Sequence, residues 1–141
     1  MALNNPYQQY RQNAVLTADP GRLALMLFNG AAKFTSQARS ALEAGDLPGA
    51  HQKIIRAQDI MVYLLATVND ETDVGRNLAA LYDYMYRRLV EANIKKDAGI
   101  LNEVARMLED LGATWQEALQ KGGGPSGEMS GAATAREGAV E

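Results

Sequence analysis

The chain has 141 residues, 47% of them hydrophobic and 22% charged. That suits one folded domain with a sizeable core and leaves no room for two. Fourteen Lys and Arg against seventeen Asp and Glu give a net charge of -3 and offer no basic field for a phosphate backbone, while the absence of cysteine removes disulfides, thiol nucleophiles and thiolate metal sites.

The stretch 1–18 has neither a cationic start nor an apolar run, so it reads as an N-terminal arm rather than a signal peptide, and the protein is expected in the cytoplasm. Tyr7, Tyr10, Val15 and Leu16 are too apolar for a freely solvated leader. They either form a lid over another apolar surface or pack permanently on the fold.

Asp19-Pro20 opens the first helix, because Asp caps free backbone N–H groups and proline fits the first helical position. This helix is expected to reach about Ala44, with Leu23, Met26, Leu27, Gly30, Phe34 and Ala41 inward and Leu25, Phe28 and Ala32 nearly opposite. Gly45 supplies a left-handed stop, and Asp46 before Pro48 starts a second helix ending near Val68. Its inner stripe is Ile54, Ala57, Met61, Leu64, Leu65 and Val68, and Ile55, Val62 and Ala66 lie about 100° to 140° around from it.

The polar run Asn69 to Asp73 is a break, followed by a third helix from about Val74 to Lys95. Leu78, Leu81, Tyr82, Met85, Leu89 and Ala92 make one face, and Ala79, Tyr86 and Val90 make a second stripe beside it. Arg87 has Asp83 and Glu91 four residues to either side for a solvated ion pair. Arg88 points closer to the core edge, where it meets an acid on another helix or the polar backbone of a partner.

Asp97 caps a fourth helix lasting to about Gln120, with Ile100, Leu101, Val104, Ala105, Leu108, Leu111, Trp115 and Leu119 on a single buried face. Gly30 and Gly112, both mid-helix and inward, suggest a close approach of the first and fourth helices. From Lys121 to Glu141 the chain carries six of its thirteen glycines and reads as a disordered tail.

The expected fold is all-α: an antiparallel up-down-up-down four-helix bundle over 19–120, flanked by the arm 1–18 and the tail 121–141. Its second and third helices carry more apolar surface than one core-facing stripe needs. A core broader than a strict seam, a homodimer contact or a binding groove would each account for it. No catalytic constellation competes, since the single histidine, His51, falls far short of the paired Glu-x-x-His ligands of a bundle metal site. The run Lys121 to Pro125 precedes no helix and lacks the Lys-Ser/Thr pair of a phosphate loop. Met26, Met61 and Met85 read as core filling, with Met107 at a helix edge. The chain is therefore read as no enzyme, without cofactor or metal.

Two blocks of residues resemble the flagellar secretion chaperone FliS family. The run Asp19-Pro20-Gly21-Arg22-Leu23-Ala24-Leu25-Met26-Leu27-Phe28-Asn29-Gly30-Ala31 is similar to that family's Ser-Pro-x-x-Leu-x-x-Met-Leu-Tyr-Asp-Gly-Ala. Leu81-Tyr82-Asp83-Tyr84, then Arg87-Arg88-Leu89, Ala92-Asn93 and Asp97, resembles its third-helix signature, and Trp115 agrees. With Tyr7 to Val15 the likeness covers about residues 7 to 120, while Asp19, Phe28, Asn29 and the Gly-rich tail depart from the pattern.

The resemblance implies a cytoplasmic four-helix chaperone that binds the disordered C-terminal segment of flagellin and holds it unpolymerised for the flagellar type III export apparatus. Neither nucleic acid nor membrane insertion enters that reading, and self-association is the rival use of the same surface. The partner-binding residues expected are Ile55, Val62, Ala66, Ala79, Tyr86 and Val90, with Leu25 and Phe28 serving a second part of a wrapping client.

Overall fold

The computed structural model of the chain describes residues 19–122. The arm with Tyr7, Tyr10, Val15 and Leu16, and the tail from residue 123 onward, lie outside the described residues. Four helices follow one another: α1 (Pro20–Glu43), α2 (Leu47–Thr67), α3 (Asp73–Lys95) and α4 (Ala98–Gln120).

Each helix starts where a side chain can take up free backbone donors. Asp19 accepts from the Arg22 N–H at 2.8 Å, Asp46 from Gly49 at 3.0 Å, and Asp97 from Gly99 and Ile100 at 2.8 and 3.2 Å. The α3 cap is Thr72, accepting from the Gly75 N–H at 2.9 Å, a residue the polar break hides among other cap formers. Gly45 holds φ +80°, the left-handed stop expected after α1.

The helices run up, down, up, down. α1 packs on α2 and α4, and α3 closes the ring between them. Cross-bundle hydrogen bonds fix the antiparallel register. The Trp115 Nε1–H near the end of α4 donates to the Gly21 carbonyl at the start of α1, 2.9 Å away, and Arg39 near the end of α1 donates to Asn102 near the start of α4 at 2.8 Å.

The centre is aromatic. Phe28 meets the Trp115 ring edge-on at 5.0 Å and lies 6.1 Å from the Tyr82 ring, and all three are fully enclosed. Met61 and Met85 are buried core, Met107 is half-buried against it, and Met26 is half-buried without being a core residue.

The inward face of α1 differs from the expected one. Its buried residues are Gly21, Ala24, Phe28, Ala31, Ala32, Thr35 and Ala38, whereas Leu23, Met26, Leu27, Gly30, Phe34 and Ala41 are only half-buried. Small side chains let α2 and α4 come close, so the face that touches most protein is not the one with the largest apolar groups. Phe28 and Ala32 are thus core, and Phe28 is not a partner-binding residue.

Candidate functional site: the apolar seam between α2 and α3

The inner faces of α2 and α3 follow the helical period, and what surrounds them decides the site. Ile54, Ala57, Met61 and Leu64 are buried on α2, as are Leu78, Tyr82, Met85, Leu89 and Ala92 on α3. Asn93 of α3 donates its side-chain amide to Nδ1 of His51 on α2 across 2.9 Å, which identifies the flank of each helix that borders the other. His51 is an exposed residue of this seam.

Ile55, Val62 and Ala66 lie on the α3-facing side of α2, and Ala79, Tyr86 and Val90 lie on the α2-facing side of α3. With His51 opposite Asn93 and a rise of about 1.5 Å per residue, Ile55 stands level with Val90 and Ala66 with Ala79. Val62 and Tyr86 fall between these two levels, about one helical turn apart along the seam. From Ile55 to Ala66 the stripe extends over about 17 Å, or three helical turns.

Burial grades across this seam from floor to rim. Tyr86 is half-buried and packs against the core, Ala79 and Val90 are half-buried, and Ile55 and Val62 remain 36% and 49% exposed. Towards the end bearing the α1–α2 and α3–α4 turns the apolar surface continues through Leu47 and Ile94, the latter 78% exposed. Those two were absent from the expected set. Leu47 sits at a helix start and Ile94 in a last turn, where periodicity no longer distinguishes a face.

The residues expected to bind a partner therefore separate into three places. Six line one seam. Leu25 is half-buried on the opposite side of the bundle, where it lines a small cleft of about 210 Å³ between α1 and α4 with Arg22, Gln116, Leu119 and Gln120. Phe28 is in the core.

On the other edge of α3 the surface is polar. Arg88 donates to Glu103 of α4 at 2.8 and 3.0 Å and to Glu91 at 2.7 Å, and the Tyr84 hydroxyl donates to Glu103 at 2.6 Å. This is the inter-helix acid expected for Arg88. Those hydrogen bonds, from Tyr84 first and then Arg88, hold the Glu103 carboxyl below its usual range. Arg87 pairs with Asp83 at 2.9 Å in full view of solvent. Among the described residues no three acids or histidines converge as metal ligands, and no helix is long and apolar enough to cross a membrane.

The sequence model of the family described as "Flagellar protein FliS" matches residues 3–122. The flagellar secretion chaperone FliS of Bacillus subtilis is 46% identical over 120 residues, 85% of this chain and 90% of the relative. The flagellar secretion chaperone FliS of Salmonella typhimurium is 34% identical over 78% of the chain and 84% of its own length, and the flagellar secretion chaperone FliSB of Pseudomonas aeruginosa 36% over 77% and 89%.

Proposed function

The chain belongs to the FliS family of flagellar proteins, and from that premise we propose that it is a cytoplasmic export chaperone whose α2–α3 seam receives part of the C-terminal segment of flagellin. Covering that segment keeps it from polymerising until the flagellar export apparatus takes it. Binding is the whole activity, and no catalytic, cofactor or metal chemistry is assigned.

One observation carries the reading. Ile55 and Val62 stand in water beside Tyr86 and Val90, on helices whose inner faces already fill the core. A preformed apolar strip of three turns suits an amphipathic guest helix anchored at i, i+3 or i+4, and i+7. A client that is disordered when free folds where it touches, so ordering offsets much of its contact energy. Reaching Leu25 would require the same client to pass round to the far side of the bundle.

The arm 1–18, with Tyr7, Tyr10, Val15 and Leu16, is assigned in this reading as a lid over the empty seam. Calorimetric titration with a peptide of the flagellin C-terminus tests the main claim. Saturable binding with a negative heat-capacity change is expected, the mark of apolar burial. No heat and no binding at micromolar concentration would overturn it.

A further inference from the structure

The seam on the other side of α2, against α1, carries a feature that the chaperone reading does not use. Phe34 of α1 has the Lys53 ammonium 5.6 Å from its ring centroid and the Arg56 guanidinium also at 5.6 Å, both from α2. Neither cation has a carboxylate within ion-pair distance among the described residues, where the ion pairs involve Arg76, Arg87, Arg88, Lys95 and Lys121. Two positive charges held at one aromatic ring repel each other, and an anion placed beside both relieves that repulsion. About 10 to 12 Å further along the seam, towards the start of α1, Met26 is half-buried and Tyr63 is 43% exposed.

Charge distinguishes the two segments of chain that could reach this spot. Residues 1–18 contain a single charged side chain, Arg11, which the cluster repels. Residues 123–141 contain Glu128, Glu137 and Glu141 against Arg136. The hydrogen bond from Trp115 to Gly21 places the end of α4 beside the start of α1. Phe34 lies about 20 Å further along α1, and one helix diameter of about 10 Å separates the two seams. Glu137 is 15 positions beyond Gly122, and a Gly-rich chain of that length spans about 20 to 23 Å root-mean-square. Span and reach match, the condition under which a tethered group has its highest effective concentration.

We propose that the chain's own acidic C-terminal tail docks on the α1–α2 seam, with Glu137 against Lys53 and Arg56 and Val140, about 10 Å further on in an extended chain, reaching the apolar strip of Met26 and Tyr63. The contact leaves the α2–α3 seam open, so it does not depend on the chaperone reading.

The chain has no cysteine, so Ala139→Cys in the full-length protein accepts one paramagnetic label cleanly. Amide signals of Met26, Phe34, Lys53 and Arg56 should then lose intensity, while those of Glu109 and Asp110 on α4 and of Val90 on α3 should not. Raising the salt to about 0.5 M should remove the effect, because Arg56 is exposed, Lys53 is only half-buried and charges at the surface are screened. Glu137→Lys with Glu141→Lys, changes that leave the bundle's own residues intact, should abolish it. Combining them with Lys53→Glu and Arg56→Glu should restore it. Uniform broadening over all faces, broadening at Val90, or a pattern unmoved by the tail reversals would overturn the proposal. No client is present in the measurement, so its failure is separate from a failure of flagellin binding.

Discussion

Val62 and Tyr86 border the same seam and differ in what lies behind them. Val62 is half in water, so Val62→Asp should leave stability within about 0.5 kcal/mol. The carboxylate would have to be desolvated beneath a guest, so the same change should weaken peptide binding at least about tenfold, or 1.4 kcal/mol. Parallel calorimetry and thermal unfolding check both halves. Tyr86 rests on the core, which makes Tyr86→Asp the poorer probe because it costs stability as well. Inside the bundle, the Tyr82 hydroxyl is buried without a hydrogen-bond partner, and burial pushes the phenol well above its ordinary value. An unmet buried donor costs about 1 to 3 kcal/mol. Tyr82→Phe should therefore raise the urea midpoint, by about 1 kcal/mol of stability. A lower midpoint would mean that the hydroxyl is bonded in solution.

Between elements, the glycines show how closely helices and turns approach. A Cβ at Gly30 would meet only the Ile60 side chain of α2, at an ordinary 3.6 Å, so the expected close approach to α4 is not made there. Gly112 does make it: a Cβ there would meet Asn29 of α1 at 3.0 Å and Leu25 and Phe28 at 3.8 Å. Gly30→Ala should stabilise the fold by about 1 kcal/mol, the helix-propensity difference. Gly75→Ala would set its Cβ on the Asn69 carbonyl oxygen in the α2–α3 connection, and should cost about 2 kcal/mol or more. Chemical denaturation of the two variants should move the midpoint in opposite directions.

The α3–α4 edge should respond to acid. Glu103 and Glu91 are both held below the usual carboxyl value, Glu103 by Tyr84 and Arg88, Glu91 by Lys95 and Arg88. A carboxylate depressed in the folded state contributes fully above its unfolded value, about 4.3, and its contribution is lost as pH falls through the folded value. Stability should decline as pH drops from about 5 to 3, and Glu103→Gln should flatten part of that slope. Equal slopes in both proteins would remove Glu103 from the account.

At the scale of the molecule, the bundle has a polar α3–α4 edge and an apolar α2–α3 edge, so its sides are not equivalent for a partner. If the arm lies over the apolar edge, deleting residues 1–17 should raise peptide affinity and the binding of an apolar dye. Unchanged or weaker binding would make the arm structural or part of the binding surface. A homodimer would use the same strip, and mass measured over a concentration series distinguishes it: a stable dimer that the peptide cannot dissociate favours self-association.

The sequence by itself determined the four helices, their starts at Asp19, Asp46 and Asp97, the stop at Gly45 and the surplus stripes on α2 and α3, because each follows from side chains within a turn or two of the backbone they act on. Arg88 was readable as an inter-helix residue, and Glu103 as its partner was not, since that pair depends on register. Tertiary structure alone decided the inward face of α1. There, Ala, Gly and Thr carry too little apolar surface to mark a face in sequence, yet pack most closely, and Phe28 became core because Trp115 and Tyr82 converge on it. It also decided that Leu25 stands apart from the six seam residues, because which seam a flank borders depends on the order of helices around the bundle, and a single helix carries no record of that order.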